Sequence, residues 1–348
     1  MDINYLRFIR LIDAFIKKTT LDLTNLCVLT EAATGHYWVT PIIAAKSGAN
    51  VIAFAKDTIY ASANESISFV KSFASKYNVL DKIEFTTKLA SDIINQADII
   101  TNSMTLRPID KKFIQSIKKT AVIPLMYEAW EFRKSDIDLN ECINNEILVL
   151  GVNENSELLP IFENVQMLII KILFENNLEV FNNRFILVSE DKFGDHFESI
   201  LKKCKAEVFR GSPFVINQNI NNFNNIDAII IAEYSNHETI ISEMGVIETE
   251  KIKRNLPDTT IINFSGNIDY ESLKKFEIPF FPKENVGNYK MAKTFTYLGI
   301  KPVLELIGAG LKVGEIMHKN RLKYSYLDAK AKSLKNILCQ DIITTNNR

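Results

Sequence analysis

The sequence predicts an α/β protein of two lobes, each built on a parallel sheet, linked by a buried crossing helix and completed by a C-terminal helix that returns to the first lobe. Three observations predict it. The chain has 348 residues, more than one ordinary hydrophobic core accommodates. Short, fully apolar runs alternate with longer amphipathic segments, the pattern of strands buried on both faces between covering helices. That alternation occurs twice, on either side of a glycine-free apolar stretch.

The elements follow in order. The N-terminal stretch through Lys18 has apolar residues at helical spacing with charges throughout, so it reads as a capping helix rather than a signal peptide. Six apolar runs then read as strands: LCVLT (26–30), VIAFA (51–55), IEFTT (83–87), ADIIT (97–101), AVIPLM (121–126) and ILVLGV (147–152). They make residues 1–157 the first lobe. From Leu158 through Phe174 apolar residues lie all around a helix, as expected of a buried connector, and 158–180 is assigned to it. Asn176, Asn177, Asn182 and Asn183 supply the turn that follows. The second lobe, 181–288, has strands at FILVS, AEVF, DAIIIAE, TTIINF and EIPFF, with one helix expected from the end of DAIIIAE through Ile252. After Asn288 a long apolar helix is expected, broken or kinked at Gly299 and Pro302. Residues 289–348 complete the first lobe.

Composition excludes several functions. A net charge of −1 leaves no basic surplus for a phosphate backbone, so nucleic acid is not an expected partner. No apolar run reaches the roughly 18 residues of a membrane span. The cysteines Cys27, Cys142, Cys204 and Cys339 form neither a CxxC pair nor a disulfide framework, which points to a reducing compartment, the cytoplasm. The scattered histidines give no zinc spacing, and no metal is expected.

Residues 185–212 fit the layout of a dinucleotide-binding βαβ unit without gaps: a strand, a tight turn, a helix whose N-terminal amides face the pyrophosphate, and a second strand. Ser189, Asp191 and Gly194 stand where GxGxxG places its glycines, and only the third is glycine. Side chains at the first two positions hinder backbone approach to a pyrophosphate, and Glu190 and Asp191 add negative charge. At the ribose position Ser212 follows Arg210, which suits a 2′-phosphate better than a free hydroxyl. NAD or NADP is the expected cofactor, with NADP favoured. Its expected contacts are Ser189, Phe193, Gly194, Arg210 and Ser212, with Glu233, Asn263 and Ser265 at later strand ends.

The order of parts resembles the formate/glycerate dehydrogenase superfamily, the D-isomer-specific 2-hydroxyacid dehydrogenases. The resemblance is strongest from Ala97 to Ser156, in ADIITNS, RPIDKKFIQS and DIDLNECINNEILVLGVNENS, and continues through IINFSGNIDYESL (261–273) and IPFFPKENVG (278–287). It implies a flavodoxin-like substrate lobe, a Rossmann-like nucleotide lobe and a homodimer. The family's substrate-holding arginine corresponds to Gly266. Its acidic partner falls in the shortened stretch between Leu273 and Ile278, and its histidine falls at Lys283. A buried lysine there could act as an acid.

Strand-end loops carry chemistry in open α/β sheets. In the first lobe Thr34 and Gly35 are expected to open a helix and offer free amides, bordered by Glu31 and His36. Asn102, Ser103, Thr105 and Arg107 offer donors after the fourth strand. The densest loop follows the fifth, with Tyr127, Glu128, Trp130, Glu131 and Arg133, and Asn153 follows the sixth. Glu128 and Glu131 are candidate acid–base groups, as is His237 in the second lobe. The substrate-binding candidates are Glu31, Thr34, Gly35, His36, Asn102, Arg107, Tyr127, Trp130, Arg133 and Asn153.

The leading expectation is an NAD(P)-dependent oxidoreductase acting on a small polar substrate between the lobes. One alternative is a lyase, transferase or hydrolase using another nucleotide or an adenosyl compound. The other is a non-catalytic ligand-binding protein, motivated by the missing arginine, acid and histidine.

Overall fold

The structure, a computed structural model, describes residues 5–128, 132–234, 238–286 and 290–342. In chain order the first elements are α1 (Tyr5–Thr19), β1 (Cys27–Glu31), α2 (Val39–Lys46), β2 (Asn50–Phe54), α3 (Ala63–Lys76), β3 (Ile83–Thr86), α4 (Ser91–Gln96), β4 (Ile99–Ile100), α5 (Lys111–Ile114), β5 (Val122–Glu128), α6 (Leu139–Asn144) and β6 (Leu148–Val152). Then follow α7 (Ile161–Glu175), β7 (Arg184–Val188), α8 (Lys192–Lys203), β8 (Glu207–Gly211), α9 (Pro213–Asn219), β9 (Ala228–Ala232), β10 (Thr239–Ser242), β11 (Ile247–Glu248), α10 (Thr249–Asn255), β12 (Thr260–Ser265), β13 (Asn267–Ile268), α11 (Tyr270–Lys275) and β14 (Phe280–Phe281). The chain ends with α12 (Ile300–Arg321), α13 (Tyr326–Ser333) and β15 (Cys339–Gln340).

The chain divides into two compact units, Met1–Ile161 with Gly299–Arg348, and Phe162–Leu298. The first has a seven-stranded sheet in the order β15-β6-β5-β4-β1-β2-β3, parallel except for β15, which runs antiparallel to β6. All six apolar runs of the first lobe are strands, and the inner positions of β1, β2 and β6 are buried throughout. The second unit has a five-stranded parallel sheet, β14-β12-β9-β7-β8, and a small parallel sheet, β11-β10-β13.

Three elements differ from expectation. The helix expected up to Ile252 is instead β10, β11 and then α10. The β-branched run Thr239-Ile240-Ile241 favours a strand, and Gly245 lies in the close turn after it, where a Cβ would lie 2.7 Å from the Ser242 nitrogen. The last long helix starts only at Ile300. Gly299, at φ +125°, ends the irregular segment before it, and Pro302 falls in the first turn, where a missing N–H costs nothing, so the helix runs without a break to Arg321. The connecting helix starts at Ile161, directly after Pro160, rather than at Leu158.

In the first unit α12 lies against α1 and the sheet through glycines. A Cβ on Gly308 would stand 2.2 Å from Phe15 Cε1, and one on Gly314 would stand 2.8 Å from Ile99 Cγ2. Phe15 is itself buried and has little room to move. A Gly308→Ala variant is therefore expected to lose about 1–3 kcal/mol of stability by overpacking. A lowered urea midpoint at unchanged slope is the check.

Candidate functional site

In an open parallel sheet, ligands bind outside the carboxyl ends of the strands where the strand order reverses. In the first unit that point lies between β1 and β4. The chain runs from β1 to β2 and β3 on one side and returns to β4, β5 and β6 on the other. Glu31 ends β1, and the segment from Thr101 to Arg107 follows β4.

Glu31 is 4% exposed, and its Oε2 accepts hydrogen bonds from the Thr105 amide and the Thr105 hydroxyl, each at 3.2 Å. Burial raises its pKa above the ordinary carboxylate value, opposed by the Thr105 bonds and the charges of Arg107 and Lys56. Beside it, Thr101 donates to Thr30 Oγ1 at 2.9 Å and shares a 2.8 Å hydrogen bond with Ser103. Asn102 accepts from the Met126 amide at 2.9 Å, while its Nδ2 is buried with no hydrogen-bond partner among the described residues. A buried donor left unpaired costs about 1–3 kcal/mol, so this one stands ready for an acceptor.

Arg107 ties the loops together. Its Nε donates to the Asn102 carbonyl at 2.6 Å, its Nη1 pairs with Asp136 at 3.0 Å, and its guanidinium lies 5.0 Å from the centre of the Tyr127 ring. Tyr127 donates to the same Asp136 carboxylate at 3.1 Å, and burial pushes its pKa up to about 12. Lys56, just past β2, donates to the Arg107 carbonyl at 3.0 Å.

Of the expected substrate residues, the structure brings together Glu31, Asn102, Arg107 and Tyr127. Thr34, Gly35 and His36 form turns, and α2 begins only at Val39, so Thr34 and Gly35 do not open a helix. Gly35 is there for its positive φ of +66°. Arg133 is exposed. Asn153 is engaged elsewhere: its Nδ2 donates to the Ile337 carbonyl at 2.9 Å, holding the segment that leads into β15. Trp130, Glu131, His237 and the Glu128 side chain lie outside the described residues. Sequence reasoning missed Lys56, Thr30 and Asp136. Asp136 could have been sought as the partner that a half-buried Arg107 requires.

In the second unit the order reverses between β7 and β9. Here the turn after β7 is held by side chains. Asp191 caps α8: its Oδ1 accepts from the Phe193 amide at 2.8 Å and the Gly194 amide at 3.4 Å, and its Oδ2 accepts from the Tyr234 amide beyond β9 at 2.9 Å. The Glu190 amide donates to the Glu233 carboxylate. Ser189 donates to the Ala232 carbonyl at 2.7 Å. Burial raises the pKa of Asp191, against the pull of those hydrogen bonds, and raises that of Glu233 to about 7, with Asp191 and Glu190 adding repulsion.

Gly194 allows the start of α8 to pack closely on the end of β7, since a Cβ there would meet Ser189 Oγ at 2.4 Å. The other cofactor candidates are engaged elsewhere. Arg210 donates to the Ser189 carbonyl at 2.9 Å and the Asp191 carbonyl at 3.1 Å and pairs with Asp195 and Glu198. It is thereby turned inward onto the turn and is not free for a 2′-phosphate. Ser212 caps α9 by accepting from the Val215 amide. Phe193 packs in an aromatic cluster with Phe197, Tyr234 and Phe264. Asn263 donates to Tyr270 and the Gly266 carbonyl, and Ser265, fully buried, has an unpartnered hydroxyl. Lys283 is exposed over the Phe280 ring at 4.5 Å, so the burial that would make it a proton donor is missing.

The residues of this turn do not fit a pyrophosphate as they stand. The amides of Glu190, Phe193, Gly194 and Tyr234 already donate to carboxylates of the chain itself. Among the described residues no group of three or more His, Cys, Asp or Glu side chains could hold a metal ion, and no helix is long and apolar enough to cross a membrane.

No family model matches the sequence, and no curated protein does. Solved structures are similar in fold. A dipicolinate synthase structure from Bacillus halodurans superposes with a TM-score of 0.52 at 8% identity, covering 87% of this chain and 100% of that one. A dipicolinate synthase structure from Bacillus subtilis gives 0.50 at 9% identity, covering 86% and 97%. A D-isomer-specific 2-hydroxyacid dehydrogenase from Lactobacillus delbrueckii ssp. bulgaricus gives 0.42 at 11% identity, covering 85% and 98%. In fold the chain resembles the two dipicolinate synthase structures, with two Rossmann-like α/β units on one polypeptide.

Proposed function

We propose that the protein is an enzyme acting on a small, oxygen-rich substrate at the β1/β4 crevice of the first unit, with Glu31 as proton donor. One observation carries this reading: Glu31, a buried carboxyl with raised pKa, ends β1, and Asn102, whose buried Nδ2 is unpartnered, follows β4, the two strand ends between which an open α/β sheet receives ligands. Burial favours the protonated form of Glu31, the form that would donate a proton to a substrate oxygen, while Asn102 donates a hydrogen bond to an acceptor and Arg107 and Lys56 supply positive charge at the rim. Arg107 is fixed by Asp136 and Tyr127 and holds its place without a ligand.

The test is a thermal-shift screen of small hydroxy acids, keto acids and phosphorylated acids against the full-length protein. A compound that stabilises the wild type should bind at least about tenfold more weakly to Asn102→Ala, which removes one hydrogen bond to a buried partner. Glu31→Gln should keep binding and lose turnover. Hits that bind both variants as tightly as the wild type would place the site elsewhere.

A redox version has one observation in its favour, the β7–α8–β8 layout with Gly194 at the helix start. In it the second unit takes NAD(H) as hydride carrier. It requires Asp191 and Glu233 to release the amides they now hold.

A further inference from the structure

We propose that Asp191 is a built-in occupant of the second unit's anion seat, so that this turn binds the chain's own carboxylate in place of a dinucleotide pyrophosphate. The amides that face a pyrophosphate in a strand–turn–helix unit are those at the start of the helix. Here the Phe193 and Gly194 amides of α8 donate to Asp191 Oδ1. The second oxygen of the same carboxylate reaches across the reversal point of the sheet to the Tyr234 amide at 2.9 Å. One side chain therefore caps the helix and bridges the ends of β7 and β9, the two strands between which a ligand would enter.

Two further contacts close the seat. Glu233, at the end of β9, accepts from the Glu190 amide, a further donor of the turn. Arg210 grips the turn through the carbonyls of Ser189 and Asp191, and its own charge is met by Asp195 and Glu198. An entering pyrophosphate would have to displace a carboxylate already bound by three amides and would then face Glu190, Asp191 and Glu233 at close range. The amides of Glu190, Phe193, Gly194 and Tyr234 thus already have carboxylate acceptors from the chain itself.

The inference is independent of the substrate site in the first unit, and its experiment uses only NADH, NADPH and inorganic pyrophosphate as probes. Titration of the full-length protein near pH 8 is expected to show no saturable binding up to millimolar concentration. Asp191→Gly restores glycine at the second position of the turn, and glycine is an acceptable helix N-cap. It should bind NADH at least about tenfold more tightly than the wild type, the equivalent of roughly 1.4 kcal/mol. Asp191→Ser keeps a cap without the charge and serves if the glycine variant does not fold. In the wild type, the amide resonances of Phe193, Gly194 and Tyr234 should move together as the Asp191 carboxyl titrates and stay fixed on adding NADH. Wild-type binding tighter than about 0.1 mM, amide shifts on adding NADH, or folded Asp191 variants that bind no better than the wild type would overturn the proposal.

Discussion

Near pH 8 a Glu233→Gln variant is expected to be more stable than the wild-type protein by on the order of 2–3 kcal/mol, and near pH 5 by less than about 1 kcal/mol. Proton linkage sets the sign. Glu233 has its pKa raised to about 7 in the folded state, first by burial and then by Asp191 and Glu190. In the unfolded chain it titrates at the ordinary value of about 4.3. Between these values the folded protein holds a proton that the unfolded chain has released, so the native state binds more protons and stability falls as pH rises. The loss begins as pH climbs through the unfolded pKa and is complete above about 7, where the folded carboxyl has also ionised. Glutamine keeps an oxygen to accept from the Glu190 amide and removes the charge, so it removes the pH-dependent penalty. Thermal denaturation of both proteins across that range is the measurement. Curves that run parallel from pH 5 to 8 would show that Glu233 is not a strained carboxylate. Glu31, whose pKa burial also raises, adds a slope of the same sign from the first unit.

Much of this fold is legible in the sequence for a simple physical reason. Strands buried on both faces must be apolar at every position, and runs such as 51–55, 147–152 and the Ala228–Ala232 strand stand out against amphipathic helices. Elements without that contrast are not legible. The strand Thr239–Ser242 has exposed or half-buried ends and is only four residues long, so its two isoleucines read equally well as one face of a helix. At the start of the last long helix Pro302 reads as a breaker, whereas in the first turn proline is tolerated.

The candidate sites divide in the same way. Position along the chain is readable: Glu31, Asn102, Arg107, Ser189, Asp191 and Glu233 all stand at strand ends beside a reversal of strand order. The direction of each side chain is not. Arg210 follows the motif spacing for a ribose contact, yet four acceptors on the turn and on α8 hold it inward. Asp191 is readable as an obstacle to a pyrophosphate, but that its carboxylate replaces one depends on an amide 43 residues away, at Tyr234. Spacing rules follow one segment, and such contacts join two.

In the first unit, Arg107→Met should destabilise the protein by about 2–4 kcal/mol and abolish binding of any ligand of the β1/β4 crevice. The side chains of Arg107 and Asp136 are 21% and 12% exposed, so solvent screens this pair only weakly and removing the cation strands a largely buried carboxylate. The same substitution frees the Asn102 carbonyl and removes the guanidinium from the face of Tyr127. Three strand-end segments lose their common tie, and the geometry that aims Asn102 Nδ2 goes with it. The pair can be separated from the scaffold by a double-mutant cycle with Asp136→Asn. If the cost is the uncompensated charge, Arg107→Met in the Asp136→Asn background should cost clearly less than alone, and the coupling should amount to at least about 1 kcal/mol. Additive losses in urea denaturation would mean that Arg107 acts through the Asn102 carbonyl and Tyr127 alone. Arg107→Lys distinguishes charge from shape, because an ammonium can answer Asp136 but cannot at once donate to the Asn102 carbonyl and lie flat on Tyr127. It should recover most of the stability and little of the ligand binding, which would assign Arg107 a positioning role in the crevice beyond its part in the fold.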